Sequence, residues 1–155
     1  PPRSTLFPYT TLFRSLIHAI DEAAIEHARA YEILHRAVDG DCVQTLQSLA
    51  ETFAVVSRKP AFAHLEARRA VDHVRGLFPV VHAEPHDLEE AMRVVEHHKI
   101  QFWDAMLWAT AKRAGCLLIL SRDFQDGRVL DGVTIVDPFN AANDRLIDFA
   151  LPPQE

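Results

Sequence analysis

Four carboxylates stand where chemistry could gather: Glu51, Asp104, Asp123 and Asp126. Glu51 lies one turn into the helical stretch after the strand-like run CVQTL (42–46). Asp123 and Asp126 sit in the loop SRDFQDG, which follows the apolar run CLLIL (116–120). Asp104 occupies the first turn of FWDAMLWATAKRA (102–114), flanked by Phe102, Trp103, Ala105 and Met106. A helix N-terminus favours negative charge, and these apolar neighbours turn the carboxylate toward a pocket. Acids from separate segments repel one another unless a cation joins them. Oxygen ligands suit hard divalent cations such as Mg²⁺ or Mn²⁺. Such an ion can activate water and steady the phosphorus of a phosphodiester under attack. On spacing alone, solvated surface acids are the commoner arrangement. Asp104 is the strongest of the four because of its surroundings.

The elements that must position these acids alternate between two periods. Residues 21–38 read as an amphipathic helix with Ile25, Ala28, Tyr31 or Leu34, and Val38 on its apolar stripe, stopped by Gly40. Residues 48–57 read as a helix with Leu49, Phe53 and Val56 on one stripe. Further helices are expected over 61–77, 85–98 and 102–114, the last closed by Gly115. Strands are expected at 42–46, 79–83, 116–120 and 133–139. The run CLLIL suits a strand buried on both faces. The tail LPPQE is expected to fray. Strand–helix alternation predicts an α/β domain whose parallel sheet is covered on both faces. In such sheets function gathers at the carboxyl ends of the strands.

The 155 residues are 48% hydrophobic and 25% charged, which fits one folded domain rather than a disordered chain. A net charge of −6 argues against a protein that coats nucleic acid through a basic surface, yet allows an enzyme that touches it locally. Cys42 and Cys116 form no CxxC pair and read as buried thiols in a reducing, cytoplasmic compartment. No apolar run approaches the roughly 20 residues of a membrane span, and the first twenty residues do not read as a secretory signal. The nine histidines show no HxH or HExxH spacing, and adjacent His97 and His98 point about 100° apart on a helix. Trp103 and Trp108 favour core or dimer packing over stacking on RNA bases. Of the basic pairs, Arg58-Lys59 stands just beyond the Glu51 helix and is the one placed to touch phosphate. Arg68-Arg69 and Lys112-Arg113 read as solvated helix faces or ends.

The segments QSLAETFAVVSRKP (47–60) and IQFWDAMLWATAKRAGCLLILSRDFQDGRVLDGVTIVDPF (100–139) resemble the PIN domain, in particular the ribonuclease toxins of VapBC-type toxin–antitoxin pairs. The resemblance spans about 16–140. It implies a three-layer α/β/α fold around a central, mainly parallel five-stranded sheet, and Mg²⁺- or Mn²⁺-dependent endonucleolytic cleavage of RNA. It also implies a homodimer and a small VapB-type antitoxin that masks the site. By position, Glu51 takes the place of the family's second acid, Asp104 the third and Asp123 the fourth, with Asp126 a close candidate. Ser121 matches a hydroxyl residue that steadies the same loop. Arg122 replaces a common Glu and would help a phosphate approach. The 27–35 helix belongs to the antitoxin-binding side in the family, and Tyr31 and Leu34 would supply part of that groove.

The family's first acid is missing. It belongs to an Asp-Thr-Asn trio at the end of the first strand, which falls here on Leu12, Phe13 and Arg14. The opening stretch TLFPYTTLFRS resembles one translated frame of a sequencing-library adapter. The expectation is that residues up to about 15 are not native, that 16–140 form the domain, and that 141–155 are a tail. The chain as it stands would then bind metal weakly and show little nuclease activity. A second reading, a non-catalytic PIN-like module that binds RNA or protein, gains if the acid is absent from the gene. A third, an α/β fold of the receiver or phosphatase type, also clusters acids at strand ends but fits the FWDA and FQDG segments poorly.

Overall fold

The computed structural model describes residues 9–12 and 15–153; of residues 9–12 and 15 only the backbone is described. Phe13 and Arg14, and most of the adapter-like segment, lie outside the described residues. The elements run β1 (Tyr9–Leu12), α1 (Ser15–Ile20), α2 (His27–Val38), β2 (Cys42–Thr45), α3 (Leu46–Val56), α4 (His64–Leu77) and β3 (Val80–Val81). They continue with α5 (Pro85–His97), α6 (Phe102–Arg113), β4 (Cys116–Leu120), β5 (Val129–Leu130), β6 (Val133–Val136), a 3₁₀ turn (Ala141–Asn143) and α7 (Asp144–Ala150). The sheet order is β3-β2-β1-β4-β6-β5. Every neighbouring pair is parallel except β5 with β6. Five strands were expected; the sixth is the two-residue β5, whose antiparallel pairing the sequence did not announce.

Helices cover both faces of the sheet. On one face α5 and α6 pack Ala91, Val94, Leu107 and Trp108 against Val43, Ile119 and Ile135. On the other, Leu16, Ile33, Leu49, Val74 and Ile147 pack against Cys42, Leu118, Leu120 and Val136. Helix α6 is buried from Ala105 through Ala111, as befits a helix apolar on all sides. Among the described residues, no helix is long and apolar enough to cross a membrane. Cys42 and Cys116 are free and buried, and burial pushes both thiols up to about 12.

Five local expectations are corrected. The helix expected over 21–38 starts at His27, because Asp21 Oδ1 accepts the Ala23 N–H at 3.1 Å and diverts the chain into a turn. Its buried face is Ala30, Ile33, Arg36 and Ala37, while Ile25 is 97% exposed. Apolar residues ring much of this helix, so two stripes compete; Tyr31, Leu34 and Val38 line a groove of about 500 Å³ against α4. In α3 the buried partners of Leu49 and Val56 are Ser48 and Thr52, with Phe53 on the surface. Leu117 is also exposed, where the β1–β4 register shifts and passes it over. Within the expected tail 141–155, residues 141–150 form a 3₁₀ turn and α7, and Leu151, the first residue of the stretch expected to fray, is held in place. Buried Arg36 donates from Nε to the Leu151 carbonyl at 2.7 Å and from Nη2 to Asp148 Oδ1 at 2.6 Å, and Leu151 is buried.

Candidate functional site

Strand order reverses direction at β1. From there the chain moves outward through β2 and β3, then crosses to β4 on the other side. The crevice at the carboxyl ends of β1, β2 and β4 is the topological switch point, where open α/β sheets bind their ligands. The acids reach this edge by three routes. Helix α3 starts directly after β2, with Thr45 as N-cap accepting the Ser48 N–H at 3.0 Å. Thr52 donates back to the Ser48 carbonyl at 2.7 Å. Glu51 therefore projects from a firmly seated helix. Helix α6 brings Asp104 in its first turn, and the loop after β4 brings Asp123.

Asp104 is the shared wall of two cavities. One, of about 410 Å³, is lined by Asp104 and Asp123 together with Lys99, Gln101, Gln125 and Arg128. The other, of about 450 Å³, is lined by Asp104 and Glu51 with Gln47, Arg58, Gln101 and Trp103. Gln47 ties the two sides of the second cavity. Its Nε2 donates to Glu51 Oε1 at 2.8 Å and to the Trp103 carbonyl at 2.9 Å. Ser121 is fully buried, and its Oγ accepts the Phe124 N–H at 3.3 Å, which closes the turn that carries Asp123.

The donor chemistry is right for a hard cation, but the arrangement is not a finished ligand set. Among the described residues, no three His, Cys, Asp or Glu side chains come together closely enough to hold a metal ion. The residues present therefore do not fit a bound Mg²⁺ or Mn²⁺ as they stand.

Three of the sequence candidates are engaged elsewhere. Asp126 accepts from Asp137 N at 2.8 Å, Asn140 Nδ2 at 2.8 Å and Asn143 Nδ2 at 2.9 Å. It lines neither cavity and instead knots the chain after β6. Desolvation pulls its pKa upward, but these hydrogen bonds outweigh it and hold the carboxyl below the usual range. A depressed folded pKa gives stability that is present above the unfolded value and lost as pH falls through the folded one. Asp126→Ala should cost roughly 1 kcal/mol. In urea melts across pH, the gap from the parent chain should be constant near neutrality and shrink below about 3.9. A gap independent of pH would show that the charge is not what holds the knot. Arg122 is bound to Glu26, which holds the Glu26 carboxyl below its ordinary range, and stands over the Phe139 ring at 5.5 Å. Lys59 is paired with Asp21. Neither lines the two cavities; of the expected phosphate contacts, Arg58 alone does.

Two residues at the site escaped the sequence reading. Lys99 and Arg128 line the Asp123 cavity. They belong to no basic pair, so clustering along the chain gave no signal; only the fold brings them together.

The fold places the chain among α/β domains with a ligand crevice at the carboxyl edge of a parallel sheet. Its family is narrower. The PIN domain profile matches residues 15–129, and the chain belongs to that family. The receiver or phosphatase reading falls with this match. Among solved structures, the chain is similar to the sarcin-ricin loop cleaving toxin VapC20 of Mycobacterium tuberculosis. That likeness has 18% identity and a TM-score of 0.62, over 74% of this chain and 89% of that one. It is similar to a toxin–antitoxin complex from Klebsiella pneumoniae, at 15% identity and a TM-score of 0.63 over 84% and 98% of the two chains. It is also similar to VapBC2 from Rickettsia felis bound to a DNA fragment from their promoter, at 11% identity and a TM-score of 0.61 over 82% and 96%. Among curated protein sequences, none matches.

Proposed function

We propose that this chain is a PIN-type endoribonuclease of the VapC kind, the toxin half of a toxin–antitoxin pair, whose metal-binding acids are incomplete because Leu12 stands where the first Asp belongs. The observation that carries the reading is the placement of Asp104 between two cavities, with Glu51 across one and Asp123 across the other. Separate strands and helices deliver acids to one sheet edge, and a hard divalent cation is what such a gathering serves. Mg²⁺ or Mn²⁺ is the proposed cofactor. With the first acid restored at position 12, such an ion would supply charge for phosphodiester hydrolysis. Arg58 is the proposed phosphate contact on the Glu51 side, beside the largely exposed Trp103. The Tyr31–Leu34 groove is the proposed seat for a VapB-type antitoxin. A homodimer of such domains, each with its own central, mainly parallel sheet, and residues up to about 15 as a non-native replacement of the first strand, complete the proposal.

Calorimetric titration with Mn²⁺ separates this reading from a binding-only module. The parent chain should give little heat, and the Leu12→Asp chain a saturable signal that Asp104→Asn removes and Asp126→Ala leaves in place. A Leu12→Asp chain that ignores Mn²⁺ would favour the module that binds RNA or protein without cutting.

A further inference from the structure

Most cations of this protein are spoken for. Arg29, Arg36, Lys59, Arg93, Lys112, Arg113 and Arg122 all sit in ion pairs. Among the described residues, Arg58, Arg69, Lys99, Arg128 and Arg145 have no carboxylate partner, and three of these five line the cavities that meet at Asp104. Arg58 stands on the Glu51 side; Lys99 and Arg128 stand together on the Asp123 side. Cations left without acids in a chain of net charge −6, beside the very carboxylates that would repel a polyanion, are placed to draw one in.

Arg128 is also held in position. Its Nη1 donates to the Lys99 carbonyl at 3.4 Å and to Gln125 Oε1 at 3.2 Å. Its Nε and Nη2 have no acceptor among the described residues, and a planar guanidinium offers such a pair of donors to two phosphate oxygens at once. Lys99 is exposed, lines the same cavity and adds a point charge. We propose that Lys99 and Arg128 form a phosphate seat for single-stranded RNA on the far side of Asp104 from Arg58. The strand then runs across the acidic edge, with one backbone phosphate gripped on each side of the reacting position. This rests on the ribonuclease reading and adds to it the direction of the strand across the site.

The test is equilibrium binding of a short, 5′-labelled single-stranded RNA to the full chain, by fluorescence anisotropy in EDTA over a salt series. Without metal nothing is cut. Each phosphate contact to a single strand contributes about 0.7 to the slope of log K against log salt. Lys99→Ala/Arg128→Ala should therefore weaken binding and make the slope shallower by about 1.4. Arg69→Ala/Arg145→Ala removes the same charge away from both cavities and should leave the slope unchanged. Arg128→Lys should keep most of it. Should the double alanine chain lose its far-UV circular dichroism, Lys99→Gln alone carries the comparison, with a slope shallower by about 0.7. Equal losses in both double variants would overturn the seat, since only overall charge would matter. An unchanged slope at Lys99 and Arg128, with Arg58→Ala still weakening binding, overturns the seat and leaves the ribonuclease reading intact. No salt-dependent RNA binding by the parent chain overturns both.

Discussion

Leu12→Asp is expected to raise Mn²⁺-dependent cleavage of a structured RNA by at least about a hundredfold. A metal ion's charge at a reacting phosphate is worth several kcal/mol, and about 2.7 kcal/mol is two orders of magnitude in rate. Position 12 ends the central strand, in register with Leu120 at the end of β4, at the same carboxyl edge of the sheet that the segments bearing Glu51 and Asp123 reach. Burying a new carboxylate is normally costly. Here the neighbourhood offers a donor. Thr11 is in register with Val43 on β2, and the next β2 residue is Gln44, fully buried, whose Nε2 has no acceptor among the described residues. Gln44 Oε1 is already used by Ser48 Oγ at 3.1 Å. An aspartate at position 12 follows that register pair by one residue, on the strand beside Gln44. Cleavage measured on both chains with Mn²⁺ checks this, and equal rates would refute it.

Trp108→Ala is expected to cost about 3–5 kcal/mol of folding stability, lowering Tm by roughly 10 °C in a chain of this size. Trp108 is fully buried at the centre of the α6 layer, and its Nε1 donates to the Leu130 carbonyl at 3.2 Å. Truncation leaves both a cavity and an unpaired carbonyl. Trp103, five residues earlier, is 64% exposed, and Trp103→Ala should stay within about 0.5 kcal/mol. Thermal melts of the two variants make the comparison. Similar losses from both would mean that α6 is not seated against the sheet as described.

The two tryptophans show what the sequence could and could not disclose. Apolar runs of five residues, Gly115 and Pro85 marked β4, α5 and α6 closely, because each is a local signal of period, stop or start. The edge strand β5 was illegible: two residues carry no period, and their pairing depends on the turn at Asp131, a non-glycine residue with φ of 44°. The face of α2 was misjudged because alanines make a buried stripe as readily as larger side chains do. Strand-end placement and family pattern singled out Glu51, Asp104 and Asp123, and all three line the cavities that meet at Asp104. That Asp126 belongs to a different knot was not, since its partners Asn140 and Asn143 lie 14 and 17 residues away. Lys99 and Arg128 are likewise 29 positions apart and share no motif.

Arg36 gives the chain's last helix a weight beyond its size. The guanidinium is nearly out of reach of water and is satisfied by Asp148, Glu32 and the Leu151 carbonyl. Severing the polypeptide ahead of Asp148 would detach two of these three partners and leave Glu32 alone to satisfy a buried guanidinium.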